Sequence, residues 1–129
     1  MPVMKQLSVF LENKPGVLAR LCRSFAQHKI NLQGISVSDT VDHAVVRLIT
    51  SDAGAARVLL EGAGVLVVET DVLALALPDR PGELGKVAGA LARAKVNIEY
   101  AYGTTGNPNA LLILRVSDIK KALKVLKTG

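Results

Sequence analysis

Apolar positions change their spacing several times along the chain, and each change marks an element. From Met4 to Leu11 the stretch "MKQLSVFL" alternates and predicts a strand. From Pro15 onward, Val17, Leu18, Leu21, Cys22 and Phe25 recur at helical spacing and predict a helix with one buried face, Pro15 lying in its first turn. "INLQGISVSDT" and "HAVVRLITSD" return to a strand-like pattern around a polar turn at Asp39 to Asp42, the mark of an antiparallel hairpin. Ser51-Asp52 then stands where a helix cap is expected, "AGAARVLLEG" reads as a short helix closed by glycine, and "VLVVET" as a fourth strand.

The same order then begins again, through "VLALAL", "PGELGKVAGALARA", "VNIEYAYG", "NALLILRV" and "SDIKKALKVLK". Pro15 and Pro81 lie 66 residues apart, in a register that runs without a gap from Leu7/Leu73 to Leu60/Leu126. A gapless repeat of this length implies two copies of one domain, residues 1–70 and 71–129, each built on the α+β ferredoxin-like order βαββαβ. The second copy is expected to lack its last strand, because Gly129 aligns with Ala63. The strand at Val72 to Leu77 should therefore have its edge covered by another strand, from the first domain or from a second chain.

Composition supports a packed protein: half of the residues are apolar and mean hydropathy is positive. The longest apolar run, Val65 to Leu77, is interrupted by Glu69, Thr70 and Asp71, so no membrane span is expected. The start "MPVMKQLSVF" lacks the features of a signal peptide, and the single cysteine, Cys22, reads as a core thiol in a reducing compartment; a cytoplasmic location is expected. The net charge of +5 owes most to Lys120, Lys121, Lys124 and Lys127, whose helical spacing reads as a solvated face, which disfavours a nucleic-acid partner.

Candidate chemistry is sparse. His28 reads as a favourable charge at a helix end, His43 as structural, and no catalytic spacing or cluster of metal ligands is present, so neither an enzyme nor a metal or cofactor site is expected. The two Pro-Gly loops carry more. Each leads from a strand to a helix N-terminus, where free N–H groups and the helix dipole attract a carboxylate or phosphate, and Gly16 and Gly82 would let a ligand approach the backbone. Pro-Gly as a simple helix start is an equal alternative for either copy alone. Asn31 and Asn97 open the next strands, and a carboxamide there could meet both ends of a free amino acid; an ordinary turn-forming role stays open.

"SVFLENKPGVLARLCRSFAQHKINL" and "LALPDRPGELGKVAGALARAKVNI" both resemble the opening of the ACT domain: a strand, an Asn or Asp loop, Pro-Gly-x-Leu, an amphipathic helix and a closing Asn. The resemblance covers nearly the whole chain as a tandem pair. It implies domains paired side by side, with a free amino acid bound between two of them, the loop of one giving backbone contacts and the partner domain closing the site. Carried onto this chain, the binding residues are Asn13, Lys14, Gly16, Val17, Leu18, Asn31 and Leu32, with Asp79, Arg80, Gly82, Glu83, Leu84, Asn97 and Ile98 as counterparts. Glu83 in place of Val17, and Glu99-Tyr100 in place of Gln33-Gly34, make the two sites unequal. The implied function is a non-catalytic sensor or regulatory protein whose partners are a free amino acid, a second copy of the chain and a metabolic enzyme. The alternatives are a ferredoxin-like RNA-binding module or a scaffold without its own ligand. Tyr100 and Tyr102, which would serve RNA stacking, are read instead as an interface between chains.

Overall fold

The structure, a computed structural model, describes residues 3–39, 43–103 and 109–127. The first copy comprises β1 (Val3–Glu12), α1 (Val17–Gln27), β2 (Leu32–Asp39), β3 (His43–Thr50), α2 (Ala53–Gly62) and the start of β4 (Val67–Pro78). After β4 come α3 (Glu83–Arg93), β5 (Ile98–Gly103), β6 (Asn109–Val116) and α4 (Ile119–Lys127). The fold is the expected tandem of ferredoxin-like α+β domains. Of the polar turn expected at Asp39 to Asp42, residues 40–42 lie outside the described residues. No helix among the described residues is long and apolar enough to cross a membrane.

The chain divides into two compact units, Lys5–Thr70 and Met1–Met4 together with Asp71–Gly129. In the first, the strands lie in the order β2-β3-β1-β4, with β3 antiparallel to both its neighbours. In the second, β6 runs antiparallel between β4 and β5. The open edge expected along Val72 to Leu77 is flanked by the start of β1, whose Val3 packs on the second core. Part of the covering expected there thus comes from the chain itself.

Two strands were expected between Val65 and Leu77, and one continuous strand, β4, is found. Glu69, Thr70 and Asp71 include no glycine or proline to turn the chain, so the extended backbone continues through them. Val67 enters the first core and Leu73 the second, so one strand serves both.

Each core rests on period-two strands and a helix stripe. Leu7, Val9 and Leu11 alternate into the first core with Val46 and Leu48 opposite, and Leu73 and Leu114 hold the equivalent places in the second. On α1 the buried stripe is Val17, Leu21 and Phe25, narrower than the sequence pattern suggests: Leu18 is 37 % exposed. Cys22, read from the sequence as a core thiol, is only half-buried. Residues one step from an i, i+4 row lean about 100° off its axis, which takes Leu18 and Cys22 toward the helix flank. Lys120, Lys121 and Lys124 face solvent on α4, as their spacing predicts.

Both first helices end alike. The N–H groups of Lys29 and Ile30 donate back to the carbonyls of Ala26 and Phe25, and those of Lys95 and Val96 to Ala92 and Leu91. This double closure needs a left-handed residue, and Lys29 (φ 57°) and Lys95 (φ 60°) provide it where α2 uses Gly64 (φ 79°). His28 donates from Nδ1 to the Ser24 carbonyl at 2.9 Å, closing the last turn of α1.

One core position differs between the copies in a testable way. Thr50 is 6 % exposed and its Oγ1 has no hydrogen-bond partner among the described residues, whereas the second copy has Val116 at that place. A buried hydroxyl without a partner keeps its desolvation cost. Thr50→Val, an isosteric change, is expected to raise stability by about 1 kcal/mol in urea unfolding. A loss of stability would show that the hydroxyl is satisfied.

Candidate functional site

Each Pro-Gly loop forms a tight turn rather than the first turn of the helix. The Val17 N–H donates to the Lys14 carbonyl, Pro15 occupies the second turn position, and Gly16 adopts φ 88°, ψ −14° at the third. Gly82 repeats this at φ 89°, ψ −11°, with the Glu83 N–H reaching Arg80. These are the requirements of a type II turn: proline for its fixed φ, glycine for its positive φ. A Cβ added at either glycine would meet nothing within 4 Å, so within the chain backbone conformation requires the glycine, not close approach.

A glycine N-cap has consequences for the helix. Neither α1 nor α3 receives a side-chain cap, and the first intrahelical bonds are Arg20 N–H to Gly16 and Lys86 N–H to Gly82. By contrast α2 is capped by Asp52, which accepts from the Ala55 N–H at 3.0 Å, and α4 by Asp118, which accepts from Lys121 at 3.0 Å. Capped and uncapped starts alternate along the chain. The uncapped ones present N–H groups and the positive end of the dipole at the surface, where an anion is favoured. Beside them Leu18 and Leu84 are 37 % and 52 % exposed.

The other loop residues are partly engaged. The Asn13 amide donates to Asp39 and ties the loop to the end of β2. Lys14 pairs with Glu12 at 2.8 Å, and this hydrogen bond holds the Glu12 carboxyl below, and the Lys14 ammonium above, their usual ranges. In the second copy Glu83 accepts from Arg80 at 2.8 Å and from Lys86 at 3.3 Å, and the bond from Arg80 lowers its pKa. The start of α3 therefore already carries a carboxylate; Val17 holds that place on α1. Asp79, Arg80, Glu83 and Leu84 come together around a recess of about 190 Å³, completed by Gly103 and Leu111. Those last two residues carry no chemical signal in the sequence; the pairing of Pro78 with Asn109 brings their strands to the loop.

Asn31 and Asn97 do not join the loops of their own domains. The Pro-Gly end of the first domain lies where Glu12 pairs with His43, while Leu32 pairs with Thr50 at the other end of β3. That separates Asn31 from the loop by about 24 Å at about 3.4 Å per residue. The expectation of an amide beside its own loop is thereby corrected: α1 intervenes and carries the chain to the far end. Asn31 has a backbone partner there. Its N–H donates to Ser51 Oγ and its carbonyl accepts from the Ser51 N–H, both at 2.9 Å, and Asn97 and Ser117 repeat the exchange at the same distances. Leu32 and Ile98 pack inward on the two cores. Of the Ser51-Asp52 pair expected as a cap, only the aspartate caps the helix, and the serine binds the backbone of Asn31. Among the described residues no cluster of three His, Cys, Asp or Glu side chains could hold a metal.

Two ferredoxin-like domains in tandem, each with a Pro-Gly turn before an uncapped helix, define a paired small-domain protein. Residues 1–128 match the family model described as an ACT domain pair, and the chain belongs to that family. It is similar to protein BT0572 from Bacteroides thetaiotaomicron, with 38 % identity over 98 % of this chain and 88 % of that one and a TM-score of 0.94. The regulatory subunit of aspartate kinase from Thermus thermophilus shares the fold at 16 % identity, covering 99 % and 97 % of the two chains with a TM-score of 0.72. That of Thermus flavus does so at 18 % identity, 99 % and 96 % coverage and a TM-score of 0.64. No curated protein matches the chain.

Proposed function

We propose that the chain is a non-catalytic regulatory protein that binds a free amino acid between ACT domains. The observation that carries this is the alternation of helix starts: α2 and α4 are capped by their own aspartates, while α1 and α3 leave N–H groups uncapped beside an exposed leucine. The α-carboxylate of the ligand sits at the start of α1, where no side chain competes; at α3 Glu83 already occupies that electrostatic role.

A site that uses both a loop and a strand-opening asparagine must draw them from two different domains, because about 24 Å separates them within one. The amide of Asn31 or Asn97 therefore completes a site whose loop belongs to another domain, and binding stabilises the pairing that forms it. A second copy of the chain is the proposed partner in this pairing. The exposure of Ile35 (42 %) and Val37 (52 %) on the edge strand β2 supports it. A metabolic enzyme is the proposed client, by analogy with the Thermus subunits, which regulate an aspartate kinase.

A thermal-shift screen of the twenty amino acids at millimolar concentration tests this. A ligand at about 100 times its dissociation constant stabilises by about 2.7 kcal/mol, which moves the midpoint by several degrees. One selective shift is expected, lost in Asn31→Ala. A flat response to all twenty would sink the sensor reading.

A further inference from the structure

The helices of each unit leave a cleft between them, and the repeat allows the two clefts to be compared position by position. Between α1 and α2 lies an apolar cleft of about 250 Å³, walled by Leu11, Val17, Leu21, Leu59 and Val65, with Arg20 beside them. Between α3 and α4 lies its counterpart, about 440 Å³, where Leu77 stands for Leu11, Glu83 for Val17, Lys86 for Arg20 and Val125 for Leu59. The cation is kept in both. Its company is not.

In the second cleft the cation has a carboxylate from the chain itself: Lys86 Nζ lies 3.3 Å from Glu83 Oε1, and the Glu83 side chain is only 13 % exposed. In the first cleft valine replaces that glutamate, and among the described residues the Arg20 side chain makes no hydrogen bond or ion pair, though its charge helps to lower the pKa of Glu12. The nearby acid, Glu12, is held at 2.8 Å by Lys14. The first copy thus has an apolar wall and the cation equivalent to Lys86, without the carboxylate on it; the second cleft's other cation, Arg93, is replaced by Gln27.

We propose that the cleft between α1 and α2 binds a short aliphatic carboxylate. Its carboxylate takes, on Arg20, the place that Glu83 takes on Lys86, and its chain lies against Val17, Leu21, Leu59 and Val65. A guanidinium recognises a carboxylate through two parallel N–H bonds, and an apolar wall with one charged group is the usual make-up of a small-molecule site. This site lies inside one domain and needs no partner domain, unlike the amino-acid site at the loops.

The test is an NMR titration of the ¹⁵N-labelled full chain with butyrate, hexanoate, octanoate and, as a control of opposite charge, hexylamine. Saturable shifts are expected at the amides of Arg20, Leu21, Ser24, Leu59 and Ala63 with the acids only, affinity rising about fourfold per methylene. Arg20→Gln, at an exposed position, should weaken hexanoate binding about tenfold. Val17→Glu, which supplies the internal carboxylate of the second copy, should abolish it. Absence of saturable shifts with octanoate, an equal response to hexylamine, or unchanged affinity in Arg20→Gln would each overturn the proposal. Shifts confined to residues 13–18 would also overturn it, by placing the carboxylate at the helix start instead.

Discussion

Leu73→Ala is expected to lower the unfolding free energy by about 3 kcal/mol and to shift one transition as a whole. Leu73 is fully buried in the second core and pairs with the equally buried Leu114. Truncating such a leucine loses its transfer free energy and leaves a cavity that rigid strands on either side cannot close. The shared strands make the loss common to both halves. β1 gives Val3 to the second core and Leu7 to the first, and β4 gives Val67 to the first and Leu73 to the second. Neither core can lose its strands without disturbing the other. The chain has no tryptophan, and its two tyrosines, Tyr100 and Tyr102, belong to the second unit, so tyrosine fluorescence reports that unit alone while circular dichroism reports both. Urea transitions by the two probes should coincide in the parent and in Leu73→Ala. A tyrosine transition that moves to lower urea by itself would show that the halves unfold separately.

Gly16→Val is expected to cost about 2 kcal/mol, through the backbone alone. At φ 88° a β-branched residue clashes with its own peptide groups, while a Cβ there meets no neighbour within 4 Å. The substitution series should therefore follow backbone tolerance and not side-chain volume: Asn mildest, Ala at about 1 kcal/mol, Val worst. Urea unfolding of the three variants checks the order, and a Gly16→Asn more harmful than Gly16→Val would refute it. On the proposed function, any thermal shift with an amino acid should vanish in Gly16→Val, because the turn presents the helix N-terminus.

Much of the fold could be read from residue spacing. Alternation in "MKQLSVFL" and the i, i+4 row of Val17, Leu21 and Phe25 report directly which side chains face a core, and the match of Pro15 to Pro81 carries that reading into the second half. What could not be read is where continuity stops and how far apart chain neighbours end up. Glu69-Thr70-Asp71 looks like a break because it is polar, yet it holds no glycine or proline to turn the chain, and β4 runs through it. Asn31 follows the first helix closely in sequence, and that helix carries it to the far end of the sheet. At the two loops the Pro-Gly turns were legible as residue types, and the uncapped helix starts follow from them. The distance between an asparagine and the loop of its own domain depends on the length of the intervening helix and strands, which residue types alone do not report.

The start of β1 beside β4 bears on how such a protein could be dissected. Here a cut after Thr70 would leave Val3 and Met4 on one fragment and the strand they flank on the other, exposing backbone donors and acceptors that invite sheet-to-sheet aggregation. Each fragment of such a cut is therefore expected to be less soluble than the whole chain.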